Sequence, residues 1–233
     1  TPSASRKQMI GIVDECKKSK KPFKTLPSMS ELMEGKISIA QFREVSIVDL
    51  LGREEVELDK NAISKFIKGK RVLVTGAGGS IGSELVRQCV KYEPSVLVMM
   101  DISELNLFEI DREIILNNQI NILFKPVLSD IRDRSVVEQV FKEFKPQVVF
   151  HAAAYKHVPM QEYFPWEAVK TNVFGTSNIS EISVNYDVEK FVLVSTDKAV
   201  KPVNVMGATK RLAEMITQNH NRIQNKTEFM AVR

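Results

Sequence analysis

From Arg71 onward, short apolar runs alternate with longer stretches in which apolar residues recur every three or four positions. The runs Arg71–Thr75, Ser95–Met100, Asn121–Pro126, Gln147–Phe150, Lys190–Ser195 and Glu228–Val232 predict strands. Several are almost continuously apolar, as expected of strands covered on both faces. The stretches Ser83–Tyr92, Glu104–Asn117, Arg134–Glu143, Trp166–Tyr186 and Met206–Arg222 predict the helices between them. Strands alternating with helices in this way give an α/β fold, a doubly wound parallel sheet of the nucleotide-binding kind.

The first sixty residues follow another pattern. Arg6–Ser19 predicts a helix and Pro22–Leu26 a short strand, followed by a mixed segment that ends in the acidic stretch Arg53–Asp59. This part is too small to bury a good core alone. The expected organisation is therefore residues 1–60 as the tail of an upstream α/β domain with a linker, and 61–233 as the principal domain. The chain starts at Thr1 and stops just after an apolar segment, so the natural protein is expected to continue at both ends.

Composition narrows the class. With 43% hydrophobic and 27% charged residues the chain reads as soluble and globular. A net charge of +4 is mild, and the basic run Lys17, Lys18, Lys20, Lys21 has no aromatic neighbour to stack on a base, so no nucleic-acid partner is expected. Cys16 and Cys89 lie far apart and share no ligand spacing with the three histidines, which argues for a reducing compartment and no metal site. No apolar run approaches the ~18 residues of a membrane span.

The candidate chemistry begins with a glycine loop. The apolar run ending at Thr75 leads into Gly76, Gly79 and Gly82, spaced G-x-x-G-x-x-G, and then into a helix expected to open at Ser83. In such a loop the first glycine permits the turn, the second admits a pyrophosphate, and the third lets helix pack on strand. The helix N-terminus, with Ser80 and Ile81, then faces the phosphates. Asp101 follows Gly82 by 19 residues at the end of the second strand. There a carboxylate accepts hydrogen bonds from the adenosine ribose and repels a 2′-phosphate, favouring NAD over NADP. Ile102 and Ser103 continue that edge. Asp130 and Ile131 are placed to face the adenine, and Ala152, Ala153 and Ala154 are small where backbone must pass close to the cofactor. At the end of the fifth strand Thr196, Asp197 and Lys198 set a hydroxyl, a carboxyl and an amine side by side, able to supply proton relay, acid and base. Ser-Thr-Asp is equally a good helix cap.

Five segments together resemble one family: TGAGGSIG at 75–82, HAAAYKHVPMQE at 151–162, TNVFGT at 171–176, STDKAVKPVNVMGATKR at 195–211 and the closing AVR. They are similar to the CapD-like polysaccharide-biosynthesis group of extended short-chain dehydrogenases, whose members are UDP-N-acetylglucosamine 4,6-dehydratases. The resemblance spans roughly residues 70–233 and implies a Rossmann-type domain lacking its C-terminal substrate lobe. Residues 1–60 resemble the end of the Rossmann-like domain that precedes the catalytic one in long members. Short-chain dehydrogenases usually carry Tyr-x-x-x-Lys on one helix face. Here Lys210 is kept and Met206 stands at the tyrosine position, as in the long dehydratases. A thioether cannot take up a proton, which weakens ordinary dehydrogenase or epimerase chemistry.

The resemblance implies NAD as cofactor and a UDP-sugar as substrate, with retention at C5. Lys198 would be the base at C5 and require a dry site that lowers its pKa. Asp197 would be the acid for the leaving hydroxyl and require burial that keeps it protonated. Thr196 would relay the C4 hydroxyl proton, and Lys210 would hold the nicotinamide ribose. Lys156, His157 and Met206 would line the sugar site. Asn172, mid-helix, is expected to fix backbone. The apolar faces of Trp166–Tyr186 and Met206–Arg222 suggest a homodimer or higher homo-oligomer, or ordinary core. The expected location is cytoplasmic, with a parent protein at the inner face of a bacterial membrane. A nucleotide-sugar 4-epimerase and a non-catalytic NAD-binding module remain as alternatives.

Overall fold

The structure, a computed structural model, describes residues 59–117, 122–224 and 226–233, and Asp59–Arg233 is one compact unit. The helix expected at Arg6–Ser19, the strand at Pro22–Leu26 and the acidic stretch before Asp59 lie outside the described residues. Six strands build one sheet: β1 (Arg71–Thr75), β2 (Val96–Asp101), β3 (Leu123–Leu128), β4 (Val148–His151), β5 (Lys190–Val194) and β6 (Glu228–Val232). Their order is β3-β2-β1-β4-β5-β6, every pairing parallel. This is the doubly wound arrangement expected, with its switch point between β1 and β4, where ligands bind beyond the strands' carboxyl ends.

Alternation along the strands divides the core into two layers. Val72 and Val74 of β1 join Leu97 and Met99 of β2 on one face, against Val86, Ile110 and Ile114. Leu73, Val98 and Met100 point the other way, toward Phe141, Ile179, Phe191 and Phe229. Each fully buried side chain of this size contributes roughly 1.5–3 kcal/mol. The edge strand β3 is partly exposed along its length, as an edge with one neighbour must be.

The helices are α1 (Lys60–Ile67), α2 (Ser80–Lys91), α3 (Glu104–Asn117), α4 (Arg134–Phe144), α5 (Val158–Tyr163), α6 (Pro165–Ala168), α7 (Thr176–Asn185) and α8 (Val205–Ile223). Three differences from the sequence pattern bear on the site. Helix α2 begins at Ser80 rather than Ser83, because the N–H of Ser83 donates to Gly79 O at 2.8 Å and closes the first turn there. The helix expected over Trp166–Tyr186 is three pieces: α6, a π-helical turn Val169–Gly175, and α7. A 3-10 turn, Asp197–Ala199, stands between β5 and α8. Gly207, in the first turn of α8, seats that helix on this turn: a Cβ there would lie 2.6 Å from Lys198 O. No helix among the described residues is long and apolar enough to cross a membrane.

Candidate active site

The glycine loop is built by exclusion of side chains. Gly76 has φ +67°, and a Cβ on it would lie 2.6 Å from Ala153 N, so only glycine lets the loop after β1 meet the loop after β4. A Cβ on Gly82 would fall 1.9 Å from Gly76 O. Gly79 differs, since a Cβ there meets only Gly76 O at 3.2 Å and is otherwise free of protein. Gly79 is also the N-cap of α2 and makes no side-chain cap bond, leaving the first-turn N–H groups for an anion. The loop therefore fits a pyrophosphate. Gly78, which the glycine spacing passes over, is as constrained as Gly76: a Cβ would sit 2.5 Å from Asn106 Cβ and 2.7 Å from its carbonyl carbon.

Asp101 is almost fully buried at the end of β2. One carboxylate oxygen accepts from Gly78 N at 2.9 Å and the other from Ser103 N at 2.8 Å. It thus ties the glycine loop to the turn before α3, and each oxygen keeps a lone pair for a ribose hydroxyl. Asp130 accepts from the guanidinium of Arg132 at 2.6 Å, and Arg132 also pairs with Glu167 at 2.7 Å. Gly76, Gly79, Ser80, Ile81 and Gly82 line a cleft of about 270 Å³ together with Asp101, Ile102, Ser103, Asp130, Ile131 and Ala152–Ala154. The structure therefore brings together the residues expected at the cofactor except Lys210, which lines a neighbouring cavity.

A second cavity, of about 340 Å³, shares Ile81, Ala152, Ala154, Tyr155 and Lys156 with the first. Its remaining walls include His157, Thr196, Lys198, Met206 and Lys210. The Thr196 hydroxyl donates to Asp197 Oδ1 at 2.9 Å, and Lys198 Nζ lies 3.4 Å from the same oxygen. Thr196 is also the N-cap of the 3-10 turn, so one side chain serves both the capping and the chemical reading. The burial expected of Asp197 is not found. Its side chain is 85% exposed, and the Thr196 hydroxyl and Lys198 ammonium hold its carboxyl below the usual range, so it is a carboxylate. The Lys198 side chain is 50% exposed, not in the dry pocket expected of it. Both groups project from a short turn past the end of β5, and tertiary cover of such a turn leaves no mark in local sequence.

Lys210 and Met206 lie deeper, both nearly fully buried on α8. Lys210 Nζ donates to Val194 O at 2.6 Å. Burial pushes this amine down to about 8, while the charge of Glu214 pulls it up. Asn172 fixes backbone as expected: its amide accepts from Tyr155 N at 2.8 Å and donates to Tyr155 O at 3.0 Å and Thr209 Oγ1 at 3.0 Å. The π-helical turn presents Asn172 to Tyr155 and so sets the common wall of the two cavities. A residue missed from the sequence is Glu214, wholly buried behind this wall and bonded to Ser195, Arg211 and Arg233.

Comparison with known proteins supplies the context. The sequence profile described as polysaccharide biosynthesis protein matches residues 72–233. The capsular polysaccharide biosynthesis protein CapD of Staphylococcus aureus is 42% identical over all of this chain, which spans 39% of its length. A UDP-N-acetylglucosamine 4,6-dehydratase (inverting) of Campylobacter jejuni is 34% identical over 72% of this chain and 49% of its own. The chain thus spans less than two thirds of these relatives. Among solved structures, the Thermus thermophilus UDP-glucose 4-epimerase in complex with NAD matches with a TM-score of 0.59 at 25% identity, covering 70% of this chain and 54% of the epimerase.

Proposed function

The chain belongs to the polysaccharide biosynthesis protein family, and from that premise we propose that it is the cofactor-binding part of an NAD-dependent nucleotide-sugar 4,6-dehydratase acting on UDP-N-acetylglucosamine. One observation carries the choice over a 4-epimerase: a methionine, not a tyrosine, stands four residues before Lys210 in the wall of the second cavity, beside Thr196 and Lys198. A thioether cannot exchange the C4 hydroxyl proton, so that task falls to Thr196 and Asp197, and Lys198 beside them is the second base, for C5, that elimination needs and 4-epimerisation does not.

NAD supplies reversible hydride acceptance, from C4 of the sugar and back to C6. Gly76, Gly79 and Gly82 with the N-terminus of α2 hold its diphosphate, Asp101 accepts from its adenosine ribose, and Asp130, Ile131 and the alanines line its path. Lys210 would hold the nicotinamide ribose. The exposed carboxylate of Asp197 changes the proton bookkeeping from that expected of a buried acid. As C4 is oxidised, the C4 hydroxyl proton passes through Thr196 to Asp197, which becomes the acid. Lys198, an ammonium in the open site, gives its proton to solvent as the sugar is seated and then, as the free amine, takes the C5 proton made acidic by the 4-keto group. The C6 hydroxyl leaves with the proton held on Asp197, giving water and a C5–C6 double bond. After hydride reaches C6, the Lys198 ammonium returns a proton to C5, and both side chains regain the states they held once the sugar was seated. The sugar, seated over the 3-10 turn against Lys156 and His157, takes Asp197 and Lys198 out of water for these steps.

The test uses the full-length protein incubated with UDP-N-acetylglucosamine and read by mass spectrometry. The expected product is lighter by one water, with no such product from Lys198→Ala. A sugar of unchanged mass with NAD bound would overturn the dehydratase reading and favour epimerisation or a non-catalytic cofactor module.

A further inference from the structure

Lys210 and Glu214 stand one helical turn apart on α8, and both reach the end of β5. Lys210 Nζ donates to Val194 O at 2.6 Å, and the next residue, Ser195, donates its hydroxyl to Glu214 Oε1 at 2.6 Å. The other contacts of Glu214 are cationic: Arg233 forks onto both carboxylate oxygens at 2.8 Å each, and Arg211 lies at 3.1 Å. Arg233 directly follows β6, whose Val232 O accepts from Ser195 N at 2.6 Å. The Glu214 side chain is wholly buried, and these partners pull its carboxyl down to about 2, Arg233 most of all. Immediately beyond Ser195 come Thr196, Asp197 and Lys198.

We infer that Glu214 is a positioning residue for the catalytic turn, fixing the point from which Thr196, Asp197 and Lys198 project by binding Ser195 on one side and Arg233 on the other. Those three residues carry the roles given them under the dehydratase reading, on which the assignment rests. Burying a carboxylate costs several kcal/mol, and an apolar side chain would fill the same space without that cost. What a carboxylate adds is direction. Its two oxygens receive a hydroxyl from the end of β5 and a two-pronged guanidinium from the end of β6, which sets the strand ends against α8 to within a hydrogen bond's tolerance. In the 3-10 turn beyond, Asp197 and Lys198 are exposed while Ala199 is buried, and Gly207 packs against Lys198 O. Displacement of the turn's root by a fraction of an ångström would move the proton-transferring groups directly.

Glu214 also acts on Lys210. The charged and titratable groups around that amine are Glu214 on its own helix, His151 on β4, and Tyr155, Lys156, His157 and Lys198 across the cavity. Glu214 is the only carboxylate among these six, so removing its charge favours the neutral amine.

The experiment compares wild type, Ser195→Ala and Glu214→Gln in the full-length protein. The readouts are kcat, KM for the UDP-sugar, NAD affinity, thermal unfolding and the titration of Lys210 by NMR of 13C-labelled lysine. Both variants are expected to lose roughly 10- to 100-fold in kcat with KM and NAD affinity little changed. The Lys210 titration moves to lower pH in Glu214→Gln only. Unchanged kcat in both folded variants, or KM rising and NAD affinity falling in step with the loss of kcat, would overturn the assignment. If Glu214→Gln does not fold, Ser195→Ala and Arg233→Lys decide by the same kcat criterion. If the wild type eliminates no water, the dehydratase reading fails by itself. The link from Glu214 to Lys210 is then judged by the NMR titration, and an unmoved titration in folded Glu214→Gln overturns it.

Discussion

Thr75 Oγ1 lies 2.6 Å from Nδ1 of His151, on adjacent strands and fully buried. The other ring nitrogen is 3.0 Å from Thr176 Oγ1, whose own proton goes to Asn172 O at 2.7 Å. Thr176 therefore accepts, so His151 carries its hydrogen on Nε2 and accepts from Thr75 on Nδ1. Burial pushes this imidazole down to about 3, and the charge of Lys210 adds to the effect. A histidine kept neutral in the fold and protonated when unfolded stabilises fully above about 6.5, and that contribution is lost as pH falls toward 3. Stability is expected to decline by about 1.4 kcal/mol per pH unit from this group. Denaturant unfolding of wild type and His151→Gln across pH 4–7 checks it: the slopes should differ by one proton, and equal slopes contradict the assignment.

Gly78 and Gly79 are adjacent yet should respond oppositely. Alanine at 78 meets the Asn106 backbone and is expected to cost about 1–3 kcal/mol in thermal unfolding. Alanine at 79 meets only Gly76 O, so the fold should tolerate it while NAD affinity, read by calorimetry, falls at least tenfold. Equal loss of stability in the two variants would contradict the separation.

Asn172→Asp keeps the acceptor for Tyr155 N and loses the donor to Tyr155 O, leaving that carbonyl and the carboxylate facing each other. A loss of about 1–3 kcal/mol is expected, with weakened NAD binding, because the wall shared by the two cavities moves. An unchanged melting temperature and NAD affinity would show that the amide does not hold this wall.

Reaction in heavy water tests the stereochemistry. Under the proposed mechanism Lys198 alone would remove and return the C5 proton, since Met206, in the same cavity, has none to give. One deuterium at C5 with retained configuration is expected by NMR. Inversion at C5 would require a second proton donor and would remove Lys198 from the return step.

Much of this was legible in the chain because its cause is local. Continuous apolar runs marked the central strands, since both their faces are buried, and Gly76 and Gly82 were forced by backbone contacts that their spacing encodes. Gly78 was not legible, because its partner Asn106 belongs to α3, beyond the helix and strand that follow the loop. Nor was the π-helical turn, whose apolar positions satisfy an ordinary helix. The exposure of Asp197 depends on what covers a turn, which no neighbouring residue records. Glu214 was hidden for a related reason: Ser195 and Arg233 each lie 19 residues away, on opposite sides of it in sequence.

Thr75 and His151 are 76 residues apart, yet they end the two strands whose loops enclose the cleft. Pairing at that separation pays its loop-closure entropy late, after the local helices have formed. The cleft is then an outcome of folding and not a nucleus for it. NAD should therefore slow unfolding of the chain while leaving its refolding rate unchanged, a division that stopped-flow kinetics with and without the dinucleotide would read directly.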